Sequence, residues 1–304
     1  MTTGRARMID VDGPVHVVEY ADGGGGPPVV CVHGLGGSAA DWQLLAPRLT
    51  PDRRVYALDL PGFGVSPLGG RTATIQRLRV LLDRFIHEQV GEPVVLVGNS
   101  MGGMLALLQA ARCRASVDRL VLLSPVVPTP VWRAPHLATV AQFMVYALPA
   151  LGEWFVRVRR RRIAPAALVA ATLAHIAADV DRIPRSIVDE RTALAPRRAG
   201  DATGDRAFLA AARSLLALLG TPRRYRRELD RIEAPVLVVH GDRDRLVSIR
   251  AVRAFATARP RWRLVVLDGV GHVPQLEAVD EVADVVRSWL RPPTTQVADF
   301  PALG

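Results

Sequence analysis

Lysine is missing from this chain of 304 residues: all 39 basic side chains are arginine, and against 29 acidic ones they leave a formal net charge of +10. Genome composition can produce such a bias, and the motifs that would make it a nucleic-acid interface are missing too. There is no zinc-ligand spacing, no strand signature of aromatic and basic residues, and no basic helix carrying base-reading Asn or Gln. The excess is also localised. Residues 128–232 hold 18 Arg against 9 acidic residues, while the rest of the chain holds 21 against 20. Cysteine is scarce, with Cys31 inside an apolar run and Cys113 near the end of a helical one, which suits reduced thiols and excludes a disulfide framework. The first residues carry charge but no apolar stretch of a signal peptide, so a cytoplasmic location is expected.

What is present in quantity is short, β-branched apolar runs: 15–20, 29–32, 54–58, 94–98, 119–124, 236–240 and 263–267. Bounded by Gly, Pro or Asp, they read as strands, and those without alternation as strands buried on both faces. Helical patterns separate them. Ile75, Leu78, Leu82, Phe85 and Ile86 recur at helical spacing behind a cap expected at Thr72, and further helices are expected at 101–112, 250–258 and 278–290. Alternation of this kind implies a parallel sheet with helices on both faces. It breaks between Pro128 and Ile232, where an Ala-, Leu- and Arg-rich stretch has helical periodicity and no strand. The expected organisation is an α/β core of residues 1–127 and 233–291, an α-helical cap over 128–232, and a poorly ordered tail over 292–304.

The stretch "VVLVGNSMGG", 94–103, places Ser100 between a strand and a helix with Gly98 and Gly102 beside it. A serine hydroxyl is a weak nucleophile until a base takes its proton, and a sharp, strained turn with small flanks is how a fold exposes one. The plainer alternative is a Gly-rich turn that happens to contain serine; a phosphate-binding loop would want a lysine after its glycines, and none follows. The Met101 N–H, at the start of the helix, can donate to an oxyanion. "HGLGGSAADW", 33–42, follows the 29–32 run where a second donor is needed, and that N–H is assigned to Leu35, with Gly34 letting the backbone approach a substrate. His33 reads as a hydrogen-bonding part of the loop. In "GHVPQLE" His272 is the candidate base. Asp242 and Asp244 in "HGDRDRLV" compete to orient it, and Asp244, further into the loop, is the better placed. Asn99 either assists at the site or only fits the turn.

Taken together, "HGLGG", "LDLPGFGVS", "GNSMGG", "GDRDRLV" and "GHVPQLE", in the order Ser100, Asp244, His272, resemble the α/β-hydrolase superfamily over about residues 10–127 and 233–290. The resemblance implies an α/β-hydrolase fold, with an eight-stranded, mostly parallel sheet and a helical cap, and no cofactor or metal. Asp59, Gly62, Gly64 and Ser66 would then shape the turn after the 54–58 strand. A serine nucleophile leads away from the haloalkane dehalogenase and epoxide hydrolase relatives and toward acyl chemistry on a small-molecule substrate. "GNSMGG" is similar to the elbow of the carbon–carbon bond hydrolases of ring-fission products, but Leu35 and Val273 stand where those enzymes often carry a loop richer in glycine and proline and a tryptophan after the histidine. Carboxylic ester hydrolysis is therefore ranked first, carbon–carbon hydrolysis second, and Val273 is counted with Gly34 and Asn99 as a substrate contact. The run from Ala134 to Arg162 suggests one more reading, weak contact with an anionic membrane surface, although Pro149, Gln142 and His136 interrupt it too often for a spanning helix. A non-catalytic ligand-binding homologue is the remaining alternative.

Overall fold

The computed structural model of the chain describes residues 4–21, 24–128, 137–199 and 202–291. Strands β1 (Arg5–Asp10), β2 (Pro14–Tyr20), β3 (Val29–Val32), β4 (Val55–Leu58), β5 (Val94–Asn99), β6 (Val117–Leu123), β7 (Val236–Gly241) and β8 (Trp262–Leu267) form one sheet, ordered β1-β2-β4-β3-β5-β6-β7-β8. β4, β3, β5, β6, β7 and β8 pair parallel, while β2 on β4 and β1 on β2 are antiparallel. The seven runs read from the sequence are seven of these strands, and β1 is the one not anticipated. It is an edge strand whose Arg5, Arg7, Met8 and Asp10 are exposed, and a charged edge of this kind blocks further strand addition without leaving an apolar signal.

Helices α1 (Ala46–Leu49), α2 (Ile75–Phe85) and α3 (Met101–Arg112) link the first strands. The cap of α2 is Thr74 rather than Thr72: its hydroxyl accepts the Arg77 N–H at 3.4 Å, because the extended backbone at Thr74 directly precedes the first helical residue. Between β6 and β7 come α4 (Leu137–Ala147), α5 (Leu151–Arg162), α6 (Pro165–Ile176), α7 (Arg185–Ala199), α8 (Ala202–Leu219) and α9 (Pro222–Leu229), with no strand among the described residues. After them α10 (Ile249–Thr257), α11 (Pro274–Glu277) and α12 (Val279–Leu290) alternate with β7 and β8. The expected tail, 292–304, and the start of the 134–162 run lie outside the described residues. Both cysteines are free.

Successive residues of the parallel strands divide between two cores, which is why these runs show no polar alternation. Val29, Cys31, Val95, Val97, Val121 and Leu123 pack with Trp42, Leu45 and, from α12, Val282 and Val286. Val30, Val32, Leu96, Leu120 and Leu122 point the other way, onto Leu78, Leu82 and Phe85 of α2 and Leu105 and Leu108 of α3. Tyr225 and Leu229 of α9 join this second core, so the inserted helices end packed on the sheet's own layer.

Asp59, buried in the loop after β4, ties three segments together. Oδ1 accepts the Ala39 N–H at 2.6 Å, and Oδ2 accepts the Val65 N–H and meets His16 Nδ1, each at 2.8 Å. Burial pushes the carboxyl up, but His16, His33 and the two N–H groups hold it below its ordinary 3.8. Stability from a carboxylate depressed in this way is complete above the unfolded value and is lost as pH falls through the folded one. Asp59→Ala strands the donors and is expected to cost about 3 kcal/mol of unfolding free energy at neutral pH. Its deficit against the wild type should shrink as pH falls below 3.8; urea unfolding over that range measures both.

Candidate active site

Where β5 passes into α3 the chain turns so sharply that two glycines are obligatory. A Cβ on Gly98 would stand 2.4 Å from the Gly102 carbonyl carbon, and one on Gly102 would stand 2.0 Å from Val32 O. Ser100 between them has φ 54° and ψ −115°, a conformation that non-glycine residues seldom adopt and that functional turns retain. Its backbone is held on both sides: Ser100 N–H donates to Leu123 O at 3.0 Å, and Ser100 O accepts from Met104 N–H at 3.1 Å and Val126 N–H at 3.3 Å. Met101 opens α3, so its N–H is one of the helix's unpaired donors, at the positive end of the helix dipole.

The loop after β3 lies against this turn. A Cβ on Gly34 would be 3.2 Å from Ser100 Cβ, so the loop's backbone runs beside the hydroxyl. His33 is fully buried beneath it. Its Nε2 accepts the Leu60 N–H at 3.1 Å, which leaves Nδ1 as the donor to Gly34 O at 2.7 Å. Both nitrogens are spent on the loop, and Leu35 above it is half-buried.

His272 follows β8 and reaches back to the loop after β7. Its Nδ1 lies 2.8 Å from Asp244 Oδ2, and the Asp244 side chain is wholly buried. Oδ1 of the same carboxylate accepts the N–H groups of Leu246 at 2.8 Å and Val247 at 2.9 Å. Burial alone would raise this carboxyl; the His272 contact, with help from His240 and the Val247 N–H, brings it below the usual carboxylate range. Asp242 is spent elsewhere, accepting the Gly269 N–H at 2.7 Å. Ser100 Oγ makes no hydrogen bond to His272 among the described residues. The two segments join through Asn99 instead, whose Nδ2 donates to His272 O at 3.1 Å and to Leu123 O at 3.0 Å. That turns the Asn99 side chain inward, and it is buried. Val273 is buried as well, packed with Leu173, Ile183 and Ile187 of the inserted segment.

Two residues to which the motifs assigned no role hold this arrangement. His240, buried at the end of β7, has Nε2 3.0 Å from Val247 O and 3.4 Å from Asp244 Oδ2. Burial depresses its basicity, which favours the neutral ring and leaves the Asp244 charge facing His272. Glu277 accepts the N–H groups of Gly271 at 3.1 Å and of Ala178 at 2.7 Å, while His272 N–H donates to Ile176 O at 2.8 Å. The histidine's loop is thus bonded to the end of α6. Nothing in the strand that carries His240 distinguishes it from a core residue; Glu277 closes the "GHVPQLE" motif.

A cavity of about 250 Å³ opens between the inserted helices and these loops. Phe63, Tyr146, Val156, Leu168, Val169 and Phe208 give it apolar walls, and Arg159, Arg160 and Arg191 add charge. Gly36 lines it, two residues from Gly34; Ser100 and His272 are not part of its wall. Among the described residues, no group of three His, Cys, Asp or Glu side chains is placed to hold a metal ion.

The profile of the α/β hydrolase family matches residues 29–285. The chain is 29% identical over 279 residues to the pimeloyl-(acyl-carrier protein) methyl ester esterase of Aromatoleum aromaticum, covering 87% of this chain and 98% of that protein. It is 28% identical over 290 residues to the 2-hydroxymuconate semialdehyde hydrolase of Pseudomonas sp. strain CF600, covering 88% of each. A dihydrolipoyllysine-residue acetyltransferase component of the acetoin cleaving system of Pseudomonas putida is 26% identical over 272 residues, which are 88% of this chain but only 65% of that longer protein. Among solved structures, Cfl2 from Burkholderia cenocepacia superposes with a TM-score of 0.80 at 24% identity, over 95% of this chain and 96% of that one, a likeness of fold. With the family profile running from β3 into α12, across the Ser100 turn and the loops that carry Asp244 and His272, the chain belongs to the α/β hydrolase family.

Proposed function

We propose that the protein is a serine hydrolase that cleaves carboxylic esters, including thioesters or lactones, through an acyl-enzyme on Ser100. The observation that carries this is the 2.8 Å contact between His272 Nδ1 and a buried Asp244, in a loop tied to the strained Ser100 turn. A hydrogen bond to the carboxylate places the ring's proton on Nδ1 and leaves Nε2 as the basic atom. For the reaction Ser100 Oγ must meet Nε2, a contact that substrate binding commonly completes. Oγ attacks the ester carbonyl as Nε2 takes its proton, and the N–H groups of Leu35 and Met101 receive the oxyanion. The imidazolium, balanced by Asp244, returns the proton to the departing alcohol, and water then releases the acid by the same steps reversed. Residues 128–232 serve as the cap of a core formed by 1–127 and 233–291, and the cavity beneath the cap takes a hydrophobic acyl or aromatic group. The methyl ester esterase relative supports the ester reading; the 2-hydroxymuconate semialdehyde hydrolase relative favours carbon–carbon bond hydrolysis as the second.

A fluorophosphonate probe is expected to label Ser100 and to leave folded Ser100→Ala unmarked; labelling at another serine would remove the assignment. Asp244→Asn is expected to lower kcat by about ten-thousand-fold with the fold retained, since the wrong tautomer is then favoured. Asp242→Asn should cost far less, and the opposite ranking in steady-state kinetics would reassign the acid. On a panel of aryl esters of increasing acyl length, kcat/KM should rise until the cavity of about 250 Å³ is filled and then fall. Conversion of a ring-fission dienol without turnover of any ester would instead select the carbon–carbon reading.

A further inference from the structure

Among the described residues nine large apolar side chains stand exposed, and six of them lie between residues 137 and 163: Leu137, Met144, Leu148, Leu151, Trp154 and Ile163. Exposed apolar residues scattered singly are ordinary, whereas a cluster needs a physical reason. Four of the six surround the tip of the α4–α5 hairpin. Met144 is in the last turn of α4, Leu148 in the connection, Leu151 at the start of α5, and Trp154, 58% exposed, one turn on.

Helix α5 has two unlike faces. Val156, Arg159 and Arg160 line the cavity. Leu151, Trp154, Arg157 and Arg161, spaced three, three and four residues apart, form one exposed stripe that is apolar at the hairpin tip and basic at the far end. The helix carries five arginines and one acid, and that acid is committed: both Glu153 oxygens are gripped by Arg213, at 2.7 and 2.8 Å, which holds the carboxyl down to about 2. Arg160 pairs with Asp205. Among the described residues no acidic side chain pairs with Arg157, Arg161 or Arg162.

We infer that the α4–α5 hairpin is a docking surface for an anionic lipid bilayer, with Met144, Leu148, Leu151 and Trp154 entering the boundary between headgroups and acyl chains and Arg157, Arg161 and Arg162 lying on lipid phosphates. The spacing suits this. Trp154 and Arg161 are roughly 10 Å apart along the helix, comparable to the depth at which an interfacial helix buries its apolar face. Tryptophan belongs at that boundary, and arginine can lay its aliphatic stem on the apolar side while its guanidinium reaches phosphate. A second copy of the chain fits poorly, because two such faces would bring their unpaired arginines together. No described helix is long and apolar enough to cross the bilayer, so contact is with its surface.

The test is co-sedimentation of the full chain with vesicles of equimolar phosphatidylglycerol and phosphatidylcholine, beside vesicles of phosphatidylcholine alone. Binding is expected on the first, little on the second, and a fall as salt rises. Replacing Arg157, Arg161 and Arg162 together by Gln should weaken partitioning roughly a hundredfold. Trp154→Ala with Leu151→Ser should weaken it as well, and in solution both variants should keep wild-type melting temperatures and wild-type turnover of a soluble ester. Equal binding to both vesicle types, no binding to either, or variants that bind like the wild type would overturn the inference. So would a concentration-dependent dimer in sedimentation velocity that Trp154→Ala abolishes, since the tip would then be a protein interface. The outcome does not depend on whether Ser100 is the nucleophile.

Discussion

The geometry at the carboxyl ends of the strands depends on the missing side chains of Gly98 and Gly102. Because a Cβ on Gly102 would stand 2.0 Å from Val32 O, the first turn of α3 can lie directly on the end of β3, the strand from which the His33–Gly37 loop departs. That single close approach goes with the positive-φ turn at Ser100, the start of α3 at Met101 and the placing of Gly34 beside the serine. Any Cβ would push the helix off the strand and separate the two N–H groups proposed to share one oxyanion.

The histidine is positioned by a different device. His272 is held by Asp244 through its ring and by Asn99 and Ile176 through its backbone, while Glu277 holds its neighbour Gly271. These partners come from the core, the Ser100 turn and the inserted helices, so the ring's placement registers the position of all three. Burial works on the two acids in unequal company. Asp244 has the His272 ring bonded to it, with His240 near by, and is brought down, whereas Glu277 has only backbone N–H donors and remains above its ordinary value.

The strands were legible because burial on both faces demands unbroken β-branched runs, and 29–32 and 94–98 could serve no other purpose at that length. β1 escaped notice because an exposed edge strand is stabilised by backbone pairing and a charged surface, which composition cannot distinguish from a loop. Thr72 and Thr74 are equally good cap residues on paper; only the backbone angle separates them. The Ser100 turn was visible because its chemistry and its steric demand fall within five consecutive residues. The cavity was not, since Phe63, Tyr146, Val156 and Phe208 come from four separate segments and meet only in the folded chain. Asn99 illustrates the same limit: its neighbours in sequence say that it sits at the turn, but not that its amide faces His272 O.

Helix α8 ties the helices around that cavity to the core. It is 18 residues long, about 27 Å at helical rise, and is fixed to the core along its length: Ala207 and Gly204 lie over the Gly62 turn, and Ser214 Oγ accepts the Ile75 N–H at 2.9 Å. On its other side Arg213 holds Glu153, Tyr146 O and Leu148 O, and Asp205 pairs with Arg160, so the α4–α5 hairpin is held to α8 by two ionic contacts and the aromatic cluster around Tyr146. The α6–α7 pair is tied by Ile176 and Ala178 to the loop of His272 and by Arg191 to Asp41. The two pairs also touch each other, through Thr139 Oγ1 of α4 at 3.5 Å from His175 Nε2 of α6. Val156 and Arg159 of α5 and Leu168 and Val169 of α6 line one cavity, so a molecule held there would touch both the hairpin and the helix that is bonded to the histidine's loop.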